Sequence, residues 1–189
     1  MKNLEKLLED VRKNRFNKEI LHRLSSLELK DTWLVAGSLF QTVWNIKSGK
    51  NPEDNINDYD IFYYDKDISY EAEDAHIKRV EQIFSDLPIV VELRNQARVP
   101  LWYKKKFDLE YPEVANAKDN ISRFFFECNC IGISYKDGKM STYAPFGIED
   151  IYSGVLRSNH TVDSFITEKM RMDKAKKYIS RWPWLRLIK

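Results

Sequence analysis

The segment from Asp58 to Asp65, Asp-Tyr-Asp-Ile-Phe-Tyr-Tyr-Asp, constrains the chain more than any other. It reads as a strand, in which successive side chains point to opposite faces. Tyr59, Ile61 and Tyr63 therefore share one face, and Asp58 and Asp60 stand together on the other. Two carboxylates side by side repel each other. At an exposed edge that costs little, but in a partly buried position it calls for a cation or a shared proton.

The flanking sequence supplies the elements around this strand. Leu4, Leu7, Leu8 and Val11, then Ile20, Leu21 and Leu24, follow helical spacing, so residues 1–30 read as two short amphipathic helices. Residues 32–36 (TWLVA) read as a strand. Gly37-Ser38 then opens a helix through Leu39, Phe40, Val43, Trp44 and Ile46, with Ser38 as its N-cap. The polar stretch 48–57 is a loop by composition. Residues 71–85 carry helical periodicity, and 88–99 (PIVVELRNQARV) read as a further strand. Residues 124–134 and 140–144 form an expected hairpin turning at Lys136-Asp137-Gly138. A helix begins near Glu149, and a basic helix spans 160–181, stopping before Trp182-Pro183-Trp184. With no repeat or linker, this alternation predicts one α/β domain over 1–189, an α+β mixed sheet on which helices 1–30 and 160–181 pack.

Composition excludes several classes. A net charge of +2 and a pI of about 8.4 are too mild to imply nucleic-acid binding. No run approaches the roughly 18 apolar residues of a spanning helix, and the charged N-terminus is no signal sequence, so a cytoplasmic protein with no membrane partner is expected. Cys128 and Cys130, next-but-one on an expected strand, read as reduced, buried thiols. His22, His76 and His160 lack zinc-ligand spacing, and no glycine follows Asp60 where a calcium loop needs its sharp turn.

The chemistry concentrates in three places. Glu92 is the one acid in an apolar strand run, and beside the 58–65 strand it would add a third carboxylate to Asp58 and Asp60. Three such acids suit Mg2+ or Mn2+ and can hold a pair of ions on an attacking and a leaving oxygen. Gly37-Ser38 offers helix N-terminal amides and a hydroxyl to phosphate. Asn95 and Arg98 follow Glu92 closely, and a guanidinium can grip phosphate oxygens. Plainer readings stand beside these. Gly37-Ser38 can be an ordinary cap, Asp58 and Asp60 a solvated edge, and Arg98 a structural partner of Glu149 or Asp150. Residues 144–150 (APFGIED) can line a base pocket or simply turn into a helix. The segment 169–189 holds eight Lys or Arg against Asp173 alone; with Trp182 and Trp184 it can contact a nucleic acid or be a solvated helix with inward aromatics.

Ala36-Gly37-Ser38, Asp58-Tyr59-Asp60 and Glu92 together resemble the signature of the nucleotidyltransferase superfamily. More narrowly, residues 42–45 (TVWN), 91–103 (VELRNQARVPLWY), 143–159 (YAPFGIEDIYSGVLRSN) and 174–185 (KAKKYISRWPWL) resemble a bacterial nucleotidyltransferase-like family of about this length. Members carry Asn where Gln41 stands and His where Pro100 stands. The resemblance implies Mg2+-dependent transfer of a nucleoside monophosphate from an NTP such as ATP to an acceptor hydroxyl, with release of pyrophosphate. It implies catalytic and metal-binding roles for Asp58, Asp60 and Glu92, and nucleotide-binding roles for Gly37, Ser38, Asn95 and Arg98. An inactive nucleotide- or partner-binding protein on the same scaffold, or a nucleic-acid-binding module using the tail, are the alternatives.

Overall fold

A computed structural model describes residues 2–136 and 138–188. The chain opens with α1 (Lys2–Arg12) and α2 (Arg15–Arg23), followed by a 3-10 turn over Leu24–Leu27. Asn14 caps α2, its side chain accepting from the amides of Phe16 and Asn17. Next come β1 (Trp33–Val35), α3 (Gly37–Lys47), β2 (Asp58–Tyr63), α4 (Tyr70–Ile83) and β3 (Val90–Asn95). The chain continues through α5 (Val99–Phe107), α6 (Ala117–Ile121), β4 (Gly132–Lys136), β5 (Lys139–Tyr143), α7 (Glu149–Ser153), β6 (Val155–Arg157), α8 (Glu168–Arg181) and β7 (Arg186–Ile188).

Five strands form one sheet in the order β3-β2-β1-β4-β5. β3 runs parallel to β2, and the other pairings are antiparallel. β6 and β7 form a separate parallel pair. Tyr59, Ile61 and Tyr63 are buried on one face of β2, as their alternation requires. That face joins a core containing Leu7, Ile20, Leu21, Phe40 and Trp44, so α1, α2 and α3 cover the back of the sheet. The opposite face carries Asp58, Asp60 and Phe62.

Several local expectations are corrected. Ser38 is not the N-cap of α3: the strand runs straight into the helix, Ala36 takes the cap position, and Ser38 lies inside the first turn. The strand expected from residue 124 begins only at Gly132, because the amides of Asn129 and Cys130 bond back to the carbonyls of Phe126 and Glu127 in a 3-10 turn. Cys128 and Cys130 therefore sit in and just after that turn, both buried and unpaired. β3 ends at Asn95, whose side chain caps a 3-10 turn leading into α5, where Pro100 occupies the first turn with its preset φ. The C-terminal helix starts at Glu168 instead of 160, behind a 3-10 turn at His160–Val162 and a Thr167 cap. Asp137, expected in the hairpin turn, lies outside the described residues; Gly138 beside it has φ +75°.

Candidate active site

β1 delivers the chain to the N-terminus of α3 through one strained residue. Ala36 has φ 49° and ψ −114°, a conformation that costs an L-residue energy and is kept only where the surroundings enforce it. Its amide is held by the carbonyl of Ile131, and its carbonyl accepts from Leu39 and Phe40. The amides of Gly37 and Ser38 come next, at the positive end of the helix, where the first N–H groups have no partner within it. A Cβ on Gly37 would lie 2.9 Å from Gln41 Nε2, so that amide roofs the turn. Arg181 of α8 holds Gln41 in place, donating to its Oε1 at 2.8 Å. Ser38 is fully buried, and its hydroxyl has no hydrogen-bond partner.

The carboxylates stand at this turn. Val35 of β1 is opposite Asp60 of β2, and Asp60 is level with Glu92 of β3. Neither Asp58 nor Asp60 has a hydrogen bond or ion pair through its side chain among the described residues. Burial pushes the Asp60 carboxyl up to about 7, and the charges of Asp58 and Glu92 push the same way against the weaker pull of Arg94 and Lys174. Lys174, on α8, supplies the facing cation. Burial lowers its pKa first and Lys177 lowers it further, while Asp58 and Asp60 oppose the fall. Glu92 is turned toward its own strand neighbour, with Arg94 donating to Oε2 at 2.9 Å. Among the described residues no three His, Cys, Asp or Glu side chains converge on one point as they stand. The donor set nevertheless fits a hard divalent cation: every group is a carboxylate, and Asp60 is partly buried with no protein donor to relieve it.

A polar network behind the sheet joins the two halves. Asn14 donates to the Tyr59 hydroxyl at 3.2 Å and to Thr42 Oγ1 at 3.1 Å. Asn17 donates to the Ser38 carbonyl at 2.9 Å, and Thr42 donates to the same oxygen at 2.7 Å. Tyr59 lies between the two aspartates, so this network braces the acidic strand and the α3 turn from the same buried layer.

Asn95 and Arg98 do not join the site. Asn95 is buried and clamps the loop after β2, donating to the carbonyls of Asp65 and Asp67 and accepting from the amides of Asp65 and Ala97. Arg98 pairs with Glu73 at 2.9 Å and donates to the Ile68 carbonyl, in place of the expected Glu149 or Asp150. These contacts tie the loop after β2 and the start of α4 to the end of β3, and Asn95 also lines the cavity beside Phe62. Residues 144–147 make a turn into α7, and Asp150 binds Arg157. Trp182 is fully buried, donating to Asn45 Oδ1 at 3.0 Å, so its ring is not offered for stacking; Trp184 is half-buried, donating to Ser48 Oγ with Lys47 over its ring. Sequence reasoning met Gln41 only as a departure from the family's Asn, and Lys174 and Arg181 only as part of the basic tail; the i, i+7 spacing that puts Lys174 and Arg181 on one helix face was the available signal.

These features define an α/β domain of the nucleotidyltransferase fold. A solved NMR structure described as revealing a CCA-adding enzyme head domain matches with a TM-score of 0.73 and 26% identity, over 97% of this chain and 95% of that one. The nucleotidyltransferase family profile matches residues 22–187, so the chain belongs to that family and is a nucleotidyltransferase. No curated protein matches it. Among the described residues no helix is long and apolar enough to cross a membrane.

Proposed function

We propose that the protein transfers a nucleoside monophosphate from an NTP to an acceptor hydroxyl, with Mg2+ or Mn2+ as cofactor and pyrophosphate as the leaving group. The observation that carries this reading is Asp60, partly buried, without a hydrogen-bond or ion-pair partner, and level with Glu92 one strand away. Asp58 and Asp60 would hold the cation, and Glu92 would complete a second position once released from Arg94. Bound there, the metal would polarise the acceptor oxygen and neutralise charge on the phosphates.

The chain's own groups supply position and charge. The Gly37 amide, more accessible than that of fully buried Ser38, would offer a donor to the β- and γ-phosphates beneath Gln41, and Lys174 would bring a partly desolvated cation near Asp58 and Asp60. Asp60 or Glu92 accepts the acceptor's proton as the oxygen attacks phosphorus and the bond to pyrophosphate breaks. Family membership and the resemblance to a CCA-adding enzyme head domain support nucleotidyl transfer. The test is calorimetric titration of Asp60→Asn with ATP and Mg2+, with labelled ATP and cell extract to read transfer. Metal-dependent binding should disappear; retention at wild-type affinity would refute the assignment.

A further inference from the structure

Beyond Asp60, the same face of β2 carries Phe62, where two adjoining cavities meet. One, of about 360 Å3, is lined by Glu73, Arg94 and Lys106; the other, of about 260 Å3, by Tyr103, Tyr111, Phe124 and Phe165. Phe62, Gln96, Val99 and Trp102 line both. Phe62 stacks on Phe124 with centroids 6.0 Å apart and planes at 23°. Trp102 is 44% exposed at the mouth, the one exposed tryptophan among the described residues.

Resting on the proposed transfer activity, we propose that this aromatic slot holds the nucleobase of the NTP, and holds it by stacking with little selection among bases. Position is the first argument. Two residues along a strand advance about 7 Å, so a nucleotide with its α-phosphate at Asp60 can lay its ribose over Phe62 and its base in the slot. The phosphates then run the other way, to the α3 turn. Charge is the second: Arg94, level with Phe62 and paired with Glu92, and Lys106 border the polar cavity against Glu73 alone, itself paired with Arg98, and they suit an anionic ligand lying between Asp60 and the slot.

The third argument concerns what the walls lack. Gln96 donates to the Arg94 carbonyl, Asn120 donates to Gln96 Oε1 at 2.9 Å, and Tyr111 donates to Asn120 Oδ1 at 2.8 Å. The Tyr103 hydroxyl is spent on the Phe165 carbonyl. Arg123 donates to the carbonyls of Pro112 and Glu113 and to Asn120 Oδ1, so the polar groups of the apolar cavity are committed within its wall and a base there meets faces, with no free partner for its edge. Aromatic faces that stack without reading edges tolerate every base.

The test uses the full chain. Adenosine, guanosine, cytidine and uridine are titrated without metal while intrinsic tryptophan fluorescence is followed; all four should quench it saturably, with affinities within about tenfold of one another, and the quench should be lost in Trp102→Ala. By calorimetry, Trp102→Ala and, separately, Phe62→Leu should weaken ATP binding at least about fivefold, the low end for one stacked base. Nucleoside quenching should survive Asp60→Asn, which separates this slot from the metal reading. No quenching by any nucleoside, more than about a hundredfold preference for one base, or unchanged ATP affinity in both folded variants would overturn the proposal and leave the slot to an apolar acceptor.

Discussion

Asp60→Asn in metal-free protein isolates the electrostatic strain of the site. The folded carboxyl is pushed up to about 7 by burial, Asp58 and Glu92. In the unfolded chain an aspartate titrates near 3.9. Across the intervening window the unfolded chain has released this proton and the folded one retains it, so the wild type loses stability as pH rises through that range. About three pH units at about 1.36 kcal/mol each set a ceiling near 4 kcal/mol, and residual solvent access with splaying of Asp58 and Glu92 reduces it to about 2–4 kcal/mol. Asparagine keeps the shape and does not titrate. The variant should match wild type near pH 4 and exceed it by that amount near pH 8, each kcal/mol raising Tm by about 2–4 °C in a domain this size. Urea unfolding followed by circular dichroism, with chelator present, measures both. An offset independent of pH, or a variant less stable near pH 8, would refute the argument.

Lys174→Met should weaken ATP–Mg2+ affinity about tenfold, the worth of one charge-assisted contact, without lowering Tm; calorimetry and a thermal melt read both. Asn95→Ala should cost about 2–3 kcal/mol in urea unfolding through the loss of its loop clamp, while ATP affinity stays at the wild-type value. Gly154→Ala should lower stability by about 1–3 kcal/mol. Its φ is +70° and a Cβ would sit 2.3 Å from the Trp184 ring, so an unchanged Tm would contradict that packing.

Some of this was legible in the chain because the deciding patterns are local. Period-two alternation from Asp58 to Tyr63 sets which residues face the core, and Glu92 inside a β-branched run marks a neighbouring strand. Other features depend on contacts far apart in sequence. Nothing local says that Ala36 takes a positive φ and the cap position expected of Ser38, because the strand exit and the Ile131 carbonyl impose it. Asn95 and Arg98 carry ligand-binding side chains, and only the fold reveals Glu73 and the 65–67 loop as their partners. The stretch 124–131, with three consecutive phenylalanines and Ile131, passes for a strand. Three-residue turns override that propensity once Phe126 is buried.

The sequence from Val35 to Asp65 folds back on itself so that the helix N-terminus and the carboxylates meet at one end of β1. Opposite demands converge there: the helix end and Lys174 attract negative charge, and the three acids attract positive charge. A bound triphosphate with its cation satisfies both at once, whereas either alone leaves one set uncompensated. The buried Asn14, Asn17, Thr42 and Tyr59 network keeps the two halves from relaxing apart. The part left free to move is Glu92 with Arg94, a side-chain pair at the solvent edge. Release of that pair is therefore the one rearrangement this frame asks of its ligand, and it costs little, because exposed ion pairs are worth about 1 kcal/mol or less.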